Sequence, residues 1–440
     1  MTSFTPEQAA QWLLSLEMFG MRFGLERMRR LMTVLGSPQE SFRSAQVLGT
    51  NGKSSTARMT AALLQAHGVR SGAYLSPHLR SFAERVEVEG HQVSDADFAA
   101  AVGRAARAAA LVDRTLEEGD RVTQFEALTA AAYSELARAG VEAAVIEAGL
   151  GGRYDATSVI AASVHVLTNV GLEHTRWLGP TERHIAEEKL AVVRPGSVLV
   201  TGRLADEAAE VAGRVAAEHQ VPLVRLGVEV QLADQGGALT VETPGGRFDD
   251  IRLAPLGTFQ RANFALAVAA AESLLAGMGR GSLDAERVRN AAAGLVLPGR
   301  MEVISQAPLV MLDGAHNPSG ARALGASLLD ATGGRRPVAV VSIMDDKDAA
   351  GILAALVPVT SAAIFTRASR QGALPPATLA SLWSQLEGGA AEIVPEPADA
   401  LTQAIRQAGP DGAVLVTGSL YLLSQLIREG GAERPSNRRA

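Results

Sequence analysis

Hydrophobic and polar positions follow two different periods along the chain. Short apolar runs at 45–48, 143–146 and 198–200 have the length of buried strands. Longer segments, such as 95–111 and 123–139, repeat their apolar residues with the period of an amphipathic helix. Because such strands and helices follow one another in turn, the pattern predicts a mostly parallel sheet covered by helices on both faces.

The stretch 223–253 departs from this pattern. Residues 228–232 and 239–242 alternate between apolar and polar side chains, and glycine pairs at 236–237 and 245–246 indicate turns. These features predict a small antiparallel appendage on an otherwise parallel α/β domain. The other elements predicted before the linker are helices at 6–17, 24–35, 181–193 and 260–277, a helix ending near Gly68, and strands at 71–75 and 163–168.

Residues 297–300, Leu-Pro-Gly-Arg, form the best candidate for a linker. We therefore predict a first domain over 1–298 and a C-terminal, Rossmann-like α/β domain over 299–440, whose last ten residues are expected to fray. The elements predicted after the linker are strands at 309–312, 337–343, 362–366, 391–394 and 413–416 and helices at 319–330, 348–356, 375–385, 399–407 and 420–428.

Composition and charge narrow the possible functions. The chain has 440 residues and a formal net charge of −6, so it lacks a global electrostatic attraction to nucleic acid or anionic lipid. It contains no cysteine, which excludes disulfides, thiolate metal sites and cysteine nucleophiles. No run of 18 apolar residues occurs, and residues 5–8 indicate a capped helix rather than a signal peptide. We expect a cytoplasmic monomer without nucleic-acid or membrane partners.

A glycine-rich run between the strand at 45–48 and the next helix is typical of a phosphate-binding loop. It has the short G-x-x-G-K-S form, since position 47 holds valine where the longer form has glycine. The backbone amides and the helix N-terminus attract an anion, and the lysine reaches the β- and γ-phosphates. The alternative is an ordinary glycine turn. The predicted ATP-binding residues are Gly49, Thr50, Asn51, Gly52, Lys53, Ser54 and Ser55.

An acidic residue ends the strand predicted at 143–146. Glu147 lies at the sheet edge where the phosphate loop is expected, because the carboxyl ends of parallel strands meet there. A carboxylate is the hard oxygen ligand that Mg²⁺ prefers, so Glu147 is a candidate for the magnesium bound to ATP. The alternative is an acidic residue on the surface at the end of a strand.

Nine segments, in order along nearly the whole chain, carry a resemblance to a known family. The sequence resembles the Mur-type ligases, and most closely the folylpolyglutamate synthase/dihydrofolate synthase family. That resemblance implies a P-loop ATPase domain followed by a Rossmann-like domain, with ATP and one or two Mg²⁺ ions as cofactors. The segments lie at 49–53, 75–79, 147–157, 168–174, 185–189, 298–300, 312–318, 346–348 and 417–421, and the earlier segment 23–27 is similar to the family's pterin-side segment.

The resemblance also implies roles for individual residues. The implied metal ligands are Ser76, Glu147 and His174, and Asn263, Arg300 and Asp313 are implied to bind ATP together with the phosphate loop. The implied catalytic residues are Lys53, Arg300, His316 and Lys189, the last as a carbamylated lysine that ligates metal. The implied pterin- or folate-binding residues are Phe23, Gly24, Leu25, Thr123, Phe125, Gly152, Arg153 and Asp155.

Several of these residues have simpler interpretations. Thr123 and Glu126 have the spacing of a capping box, and a place in the core is favoured for Phe125 over stacking on a pterin ring. Lys189 follows two glutamates on a predicted helix, which is typical of a solvated face. His174 is an unusual ligand for Mg²⁺, and an ordinary loop histidine is the alternative.

The sequence therefore predicts ATP-dependent amide-bond formation between a folate-type carboxylate and L-glutamate through an acyl phosphate. Three alternatives stay open: a cell-wall Mur ligase, a P-loop kinase or GTPase, and a nucleotide-binding regulator. The first needs a UDP-sugar domain ahead of the loop at 49, and the other two leave 313–318 and the second domain unexplained. The sequence departs from the family pattern at Ser54, Ser158, Glu173 and Phe259.

Overall fold

A computed structural model describes residues 4–16 and 24–429 of the chain. The chain forms two compact units, the first from Met1–Leu253 and Arg261–Leu295 and the second from Ala254–Gln260 and Val296–Ala440. The backbone thus enters the second unit at 254, returns to the first at 261 and leaves it again at 296. We predicted one boundary at residue 298 and did not predict the earlier crossing.

The first unit is built on an eight-stranded sheet with the order β4-β3-β2-β5-β1-β6-β7-β8. All neighbouring strands are parallel except at the β2–β3 and β3–β4 pairs on one edge. Strand β1 is central, so the loop that follows it lies beside the ends of β5 and β6. The strands are β1 Arg43–Leu48, β2 Ser71–Tyr74, β3 Val86–Val88, β4 His91–Gln92, β5 Ala143–Glu147, β6 Val164–Leu167, β7 Val198–Thr201 and β8 Leu223–Arg225.

Helices cover this sheet and pack on it through apolar clusters. Among the described residues, one such cluster is centred on α4 and α5 and another on α7 and α8. Helices α6, α8 and α10 were not predicted from the sequence. The helices are α1 Pro6–Ser15, α2 Glu26–Val34, α3 Lys53–Ala66, α4 Asp95–Asp113, α5 Gln124–Arg138, α6 Thr175–Leu178, α7 Glu182–Leu190, α8 Asp206–His219, α9 Thr258–Gly277 and α10 Ala285–Gly294.

The appendage is a three-stranded antiparallel sheet made of β9 Gln231–Gln235, β10 Ala238–Thr243 and β11 Gly246–Ile251. The predicted strand at 228–232 is wrong in its first half, because the amides of 228–230 all donate to the Arg225 carbonyl. The Glu229 carboxylate closes this turn by accepting from the Arg225 backbone amide and guanidinium. A local ion pair therefore overrides the alternating pattern.

The second unit contains a six-stranded sheet with the order β12-β13-β17-β14-β15-β16, in which only β12 is antiparallel to its neighbour. Helices α11 to α13 pack on it around one apolar cluster. The predicted α/β class is confirmed for the whole protein. The elements are β12 Glu302–Gln306, β13 Leu309–Leu312, β14 Val338–Val341, β15 Ala362–Phe365, β16 Ala390–Ile393, β17 Ala413–Thr417, α11 Pro318–Ala331, α12 Ala349–Leu356, α13 Pro376–Gln385, α14 Pro397–Ala408 and α15 Leu420–Glu429.

Within the described ranges, none of the helices has the length and apolar character needed to cross a bilayer.

Candidate active site

The loop between β1 and α3 has the backbone geometry of a phosphate-binding loop. Its first and last glycines, Gly49 and Gly52, have φ values of 138° and 82°, which favour glycine. A Cβ atom at Gly49 would overlap Thr168 Oγ1, and one at Gly52 would lie 2.5 Å from Asn263 Oδ1. Lys53 begins helix α3, so the helix N-terminus faces the loop. The predicted ATP contact Asn263 is thus brought against the loop.

The segment after β6 holds the phosphate loop in place. Asn169 accepts from the Thr50 amide through its carbonyl, at 3.0 Å, and from the Asn51 amide through its side chain, at 2.9 Å. The Thr168 hydroxyl donates to the Asn51 carbonyl at 2.6 Å. The Lys53 ammonium donates to the loop's own carbonyls at Gly49 and Thr50, each at 3.0 Å. These bonds preorganise the loop before any ligand contact.

Glu147 is buried, with 2% of its surface exposed, so its interpretation as a surface residue is wrong. The Ser54 hydroxyl donates to one carboxylate oxygen at 2.9 Å, and the Ser76 amide donates to the other at 2.8 Å. Three predicted residues therefore meet where β5, the phosphate loop and the end of β2 come together. The sheet topology explains the burial, because β5 lies between β2 and β1.

The oxygen atoms around Glu147 fit a magnesium ion. Mg²⁺ in nucleotide sites is usually bound by one or two carboxylates, with water and substrate phosphates completing its shell. Glu147 supplies a carboxylate, the Ser54 hydroxyl is bonded to it beside the phosphate loop, and the Ser76 backbone amide is bonded to its other oxygen. Over the described residues, no group of three His, Asp or Glu side chains forms a complete metal cage. This arrangement suits an ion that shares its ligands with ATP.

His174 lies in the loop after β6, at the start of the short helix α6. Its backbone is left-handed, with a φ of 52°, and its Nε2 atom is 3.8 Å from a Glu173 carboxylate oxygen. The loop that carries it also contains Gly171, which is bonded to Thr50 of the phosphate loop. The role of His174 as a metal ligand stays a prediction.

Lys189 does not lie on a solvated face, which corrects that interpretation of the sequence. Only 2% of its surface is exposed, and its ammonium donates to the Leu150 carbonyl at 3.0 Å. Burial, with a further contribution from the Lys53 charge, lowers the pKa of Lys189 to about 7. The preceding Glu187 and Glu188 instead pair with arginines at 214 and 153. One helix thus directs its lysine inward and its glutamates outward.

The loop after β5 is shaped by two of the predicted substrate residues. Asp155 accepts from the Leu150 amide at 2.9 Å and from the Thr157 amide and hydroxyl at 3.0 and 2.5 Å. A Cβ atom at Gly152 would overlap backbone carbonyls of helix α7. Arg153 pairs with Glu188 and is half exposed, so it presents its side chain to solvent. Asp155 and Gly152 therefore fix the backbone, whereas Arg153 extends outward.

The predicted capping box at the start of α5 is confirmed. Thr123 caps the helix through its hydroxyl, and the Glu126 carboxylate accepts from the Thr123 amide at 2.8 Å. Phe125 stacks on Tyr74 with ring centroids 6.3 Å apart, and its ring lies directly against Gly149. Of the early segment, Gly24 and Leu25 precede α2, whereas Phe23 lies outside the described residues.

Arg27 belongs to the early segment 23–27, but no role of its own was predicted for it from the sequence. Its side chain is buried and pairs with Glu126 and Asp120. A detectable signal existed, because Arg27 shares one face of α2 with Met28, Leu31 and Met32, which are all buried. A charge on the apolar face of a helix requires a buried partner.

In the second unit, Asp313 directly follows β13 and is buried. Its carboxylate accepts from the Met301 amide at 2.9 Å and the Ala315 amide at 2.8 Å. Burial raises the pKa of Asp313, against the opposing charge of Arg300. The His316 ring donates from Nδ1 to the Gly314 carbonyl at 2.8 Å. Arg300, Asp313 and His316 therefore lie around one turn.

Comparisons with known proteins agree with this arrangement. Residues 47–271 match the Mur ligase middle domain, and residues 299–420 match the Mur ligase glutamate ligase domain. The fold and site define an ATP-dependent ligase of the Mur type. A Bacillus subtilis relative, dihydrofolate synthase/folylpolyglutamate synthase, is 32% identical over 96% of this chain and 98% of its own length.

Solved structures extend the likeness to the whole fold. Mycobacterium tuberculosis folylpolyglutamate synthase complexed with ADP aligns with a TM-score of 0.90 and 33% identity, covering 98% of this chain and 99% of that one. A bifunctional Yersinia pestis enzyme complexed with AMPPNP and Mn ion aligns with a TM-score of 0.83 and 28% identity, covering 96% and 98%. The chain belongs to the folylpolyglutamate synthase/dihydrofolate synthase family. It is an ATP-dependent ligase.

Proposed function

We propose that this enzyme joins L-glutamate to the carboxylate of a folate-type acceptor and that it accepts both dihydropteroate and tetrahydrofolate. One observation carries the proposal: the Glu147 carboxylate binds the Ser54 hydroxyl and the Ser76 amide directly beside a phosphate loop. That arrangement suits ATP and a divalent ion at one end of the sheet. The Bacillus subtilis and Yersinia pestis relatives carry names that pair both activities.

The proposed reaction has two steps, for which the chain supplies charge and orientation. The acceptor carboxylate attacks the γ-phosphorus of ATP, which releases ADP and forms an acyl phosphate. The glutamate amine then attacks the acyl carbon, which forms the amide and releases phosphate. Lys53 and the α3 N-terminus stabilise the phosphate charge, while Glu147, Ser76 and His174 are assigned to the metal. A bound Mg²⁺ would neutralise part of the phosphate charge.

Residues of the second unit are assigned to the nucleotide and the amine. Arg300 and Asp313 are assigned to ATP, and His316 to phosphate or the incoming glutamate. The buried Asp313 carboxylate accepts two backbone amides, so it can hold the turn that carries His316. We also assign the acceptor to Gly24, Leu25, Thr123, Phe125 and Arg153. The functional division into 1–298 and 299–440 remains part of this proposal.

Lys189 is proposed to react with CO₂ to form a carbamate, which releases one proton and adds a negative charge. Its pKa of about 7 leaves a substantial fraction of neutral amine at neutral pH, and the neutral amine is the form that reacts. Lys189→Ala is expected to lose activity, and added acetate is expected to restore part of it. A ¹³C-carbamate signal from ¹³CO₂ that is absent in Lys189→Ala would support the modification. Unchanged activity in the variant would refute it.

ADP release measured with each substrate left out in turn tests the proposed reaction. We expect ADP release to require both a folate-type acceptor and L-glutamate, and mass spectrometry to detect the glutamylated product of each acceptor. Equal ADP release without glutamate would refute ligation and favour a kinase or a nucleotide-binding regulator. Lys53→Ala serves as the control for ATP chemistry and should lower kcat by about 10²-fold or more.

A further inference from the structure

A buried ion pair connects the starts of helices α2 and α5. Arg27 and Glu126 expose only 7% and 5% of their surfaces. The Arg27 Nε atom lies 3.1 Å from both carboxylate oxygens of Glu126, and its Nη1 atom lies 3.3 Å from an Asp120 oxygen. Asp120 is in the loop that leads into α5. One guanidinium therefore ties α2 to both the helix start and the loop before it.

The Glu126 carboxylate also accepts hydrogen bonds from the residue that caps α5. It accepts from the Thr123 amide at 2.8 Å and from the Thr123 hydroxyl at 3.0 Å. The next residue, Gln124, donates from its side chain to the Leu13 carbonyl in the last turn of α1, at 2.8 Å. Residues 123–126 are thus held from two directions, by α1 and by α2.

Between these fixed residues lies Phe125, which is only partly buried. Its ring stacks on Tyr74 with an interplanar angle of 29°, and a Cβ atom at Gly149 would lie 2.6 Å from its Cζ atom. Gly149 follows Glu147 by two residues. The orientation of Phe125 is therefore set by neighbours on α5, β2 and the loop after the metal-site strand.

We propose that the Arg27–Glu126 ion pair is a positioning device for the acceptor. It fixes the segment at 24–26 against the start of α5, so that a flat heteroaromatic acceptor meets the ring of Phe125 in one orientation. This inference rests on the proposed function. A guanidinium suits the task because its planar fork holds a carboxylate in a fixed direction, which an ammonium does not.

Stability alone does not require this pair. A buried ion pair pays a desolvation penalty, and apolar residues of similar volume often replace one without loss of stability. Removing one partner, in contrast, leaves an unpaired buried charge and is strongly destabilising. The informative change is therefore the paired replacement Arg27→Met with Glu126→Leu, which removes both charges of the buried pair. Asp120 also loses its bond to Arg27, but its carboxylate is about one fifth exposed and can be hydrated.

Steady-state kinetics of the full-length protein test the proposal. In the double variant we expect the KM for dihydropteroate to rise about tenfold or more, while the KM for ATP and kcat change less than about threefold. Arg27→Lys, which retains the charge without the planar fork, is expected to give a smaller rise in the same KM. This single variant keeps the test decisive if the double variant folds poorly.

A second ion pair that involves α5 provides the control. Arg104 of α4 pairs with Glu135 near the other end of α5, where Glu135 is buried and the Arg104 side chain is about one quarter exposed. The replacement Arg104→Met with Glu135→Leu should leave the acceptor KM unchanged. An unchanged acceptor KM in the Arg27 variants, or an equal rise in the control, would overturn the positioning role. If wild-type protein releases no ADP in response to acceptor, the proposed function fails, and this inference fails with it.

Discussion

Several charged side chains at the site are buried and bonded to backbone groups. Glu147 accepts the Ser76 amide, Lys189 donates to the Leu150 carbonyl, and Asp313 accepts the Met301 and Ala315 amides. Sequence patterns placed Glu147 and Asp313 correctly at strand ends, since apolar runs of strand length preceded them. They did not reveal that Lys189 is buried, because its burial depends on a loop more than thirty residues earlier in the chain.

His165 is a buried titratable residue that the proposed reaction does not use. It lies on β6 beside Gln46 and Leu199 in the strand register, is 1% exposed, and neither ring nitrogen has a hydrogen-bond partner among the described residues. Burial, with a contribution from the Arg194 charge, lowers the pKa of His165 to about 4. The folded protein therefore holds this ring neutral where the unfolded chain protonates it.

This difference predicts a specific loss of stability in acid. Between pH 6.5 and pH 4 the unfolded chain binds the extra proton, so the free energy of unfolding falls as the pH falls. The contribution of His165 is about 3 kcal/mol over that window and is absent above pH 6.5. His165→Leu should reduce the drop in urea-unfolding free energy between pH 7.5 and pH 4.5 by about 2 kcal/mol.

An apolar neighbour separates titration from packing in that experiment. Leu199 is the register partner of His165 on β7 and is fully buried. Leu199→Ala should destabilise the protein by a similar amount at every pH, because it removes no titratable group. A pH profile of His165→Leu that runs parallel to the wild-type profile would contradict the assignment.

At the scale of helices and strands, the contact between α7 and the loop after β5 positions the backbone of part of the candidate site. Gly152 packs against the carbonyls of Glu188 and Lys189, and the loop carbonyl at Leu150 accepts from Lys189. Gly152→Ala would push backbone against backbone, which side-chain rotation cannot relieve. We expect this variant to lose about 2 kcal/mol of stability and most of its ligase activity.

Gly213 provides the contrasting glycine. It lies inside α8, and a Cβ atom there would meet nothing within 4 Å. Gly213→Ala should therefore stabilise the protein by about 0.5–1 kcal/mol, since alanine favours helix. Urea unfolding and ADP release measure both variants. Equal stability of the two variants would show that the Gly152 contact is not tight.

The success of element prediction followed burial only in part, since the exposed strand β16 was predicted while helix α8, with five buried residues, was missed. The strands β1, β5 and β17 are buried along nearly their whole length and were predicted within two residues. Helix α10 was missed because only Val288 and Ala292 of its ten residues are buried. Strand β12 was missed because it is only partly buried and its pairing with β13 is irregular.

At the scale of the whole chain, the second unit includes residues 254–260, which are separated in sequence from its main segment at 296–440. The Thr258 amide donates to the Ser327 hydroxyl at 3.0 Å, and Phe259 packs against the apolar cluster of the second unit. From the sequence, Thr258 and Phe259 were assigned to the first domain, because they directly precede the helix predicted at 260–277. No local pattern marks a segment that belongs to a distant core.

Phe259→Ala is therefore expected to destabilise the second unit by about 2 kcal/mol. Hydrogen exchange should show reduced protection in α11, which carries Ser327, while α8 of the first unit stays protected. Val228→Ala, at an exposed position of the first unit, should change neither helix. Reduced protection confined to 261–277 would show that Phe259 supports α9 instead.

The same crossing limits how such enzymes can be recombined. A single genetic crossover at residue 296 between two related genes would join residues 254–260 of one parent to the second unit of the other. The hybrid would then place a foreign Leu256 and Phe259 against a core that evolved with different partners. Functional chimeras of this chain should require exchange of the seven-residue segment together with the C-terminal portion.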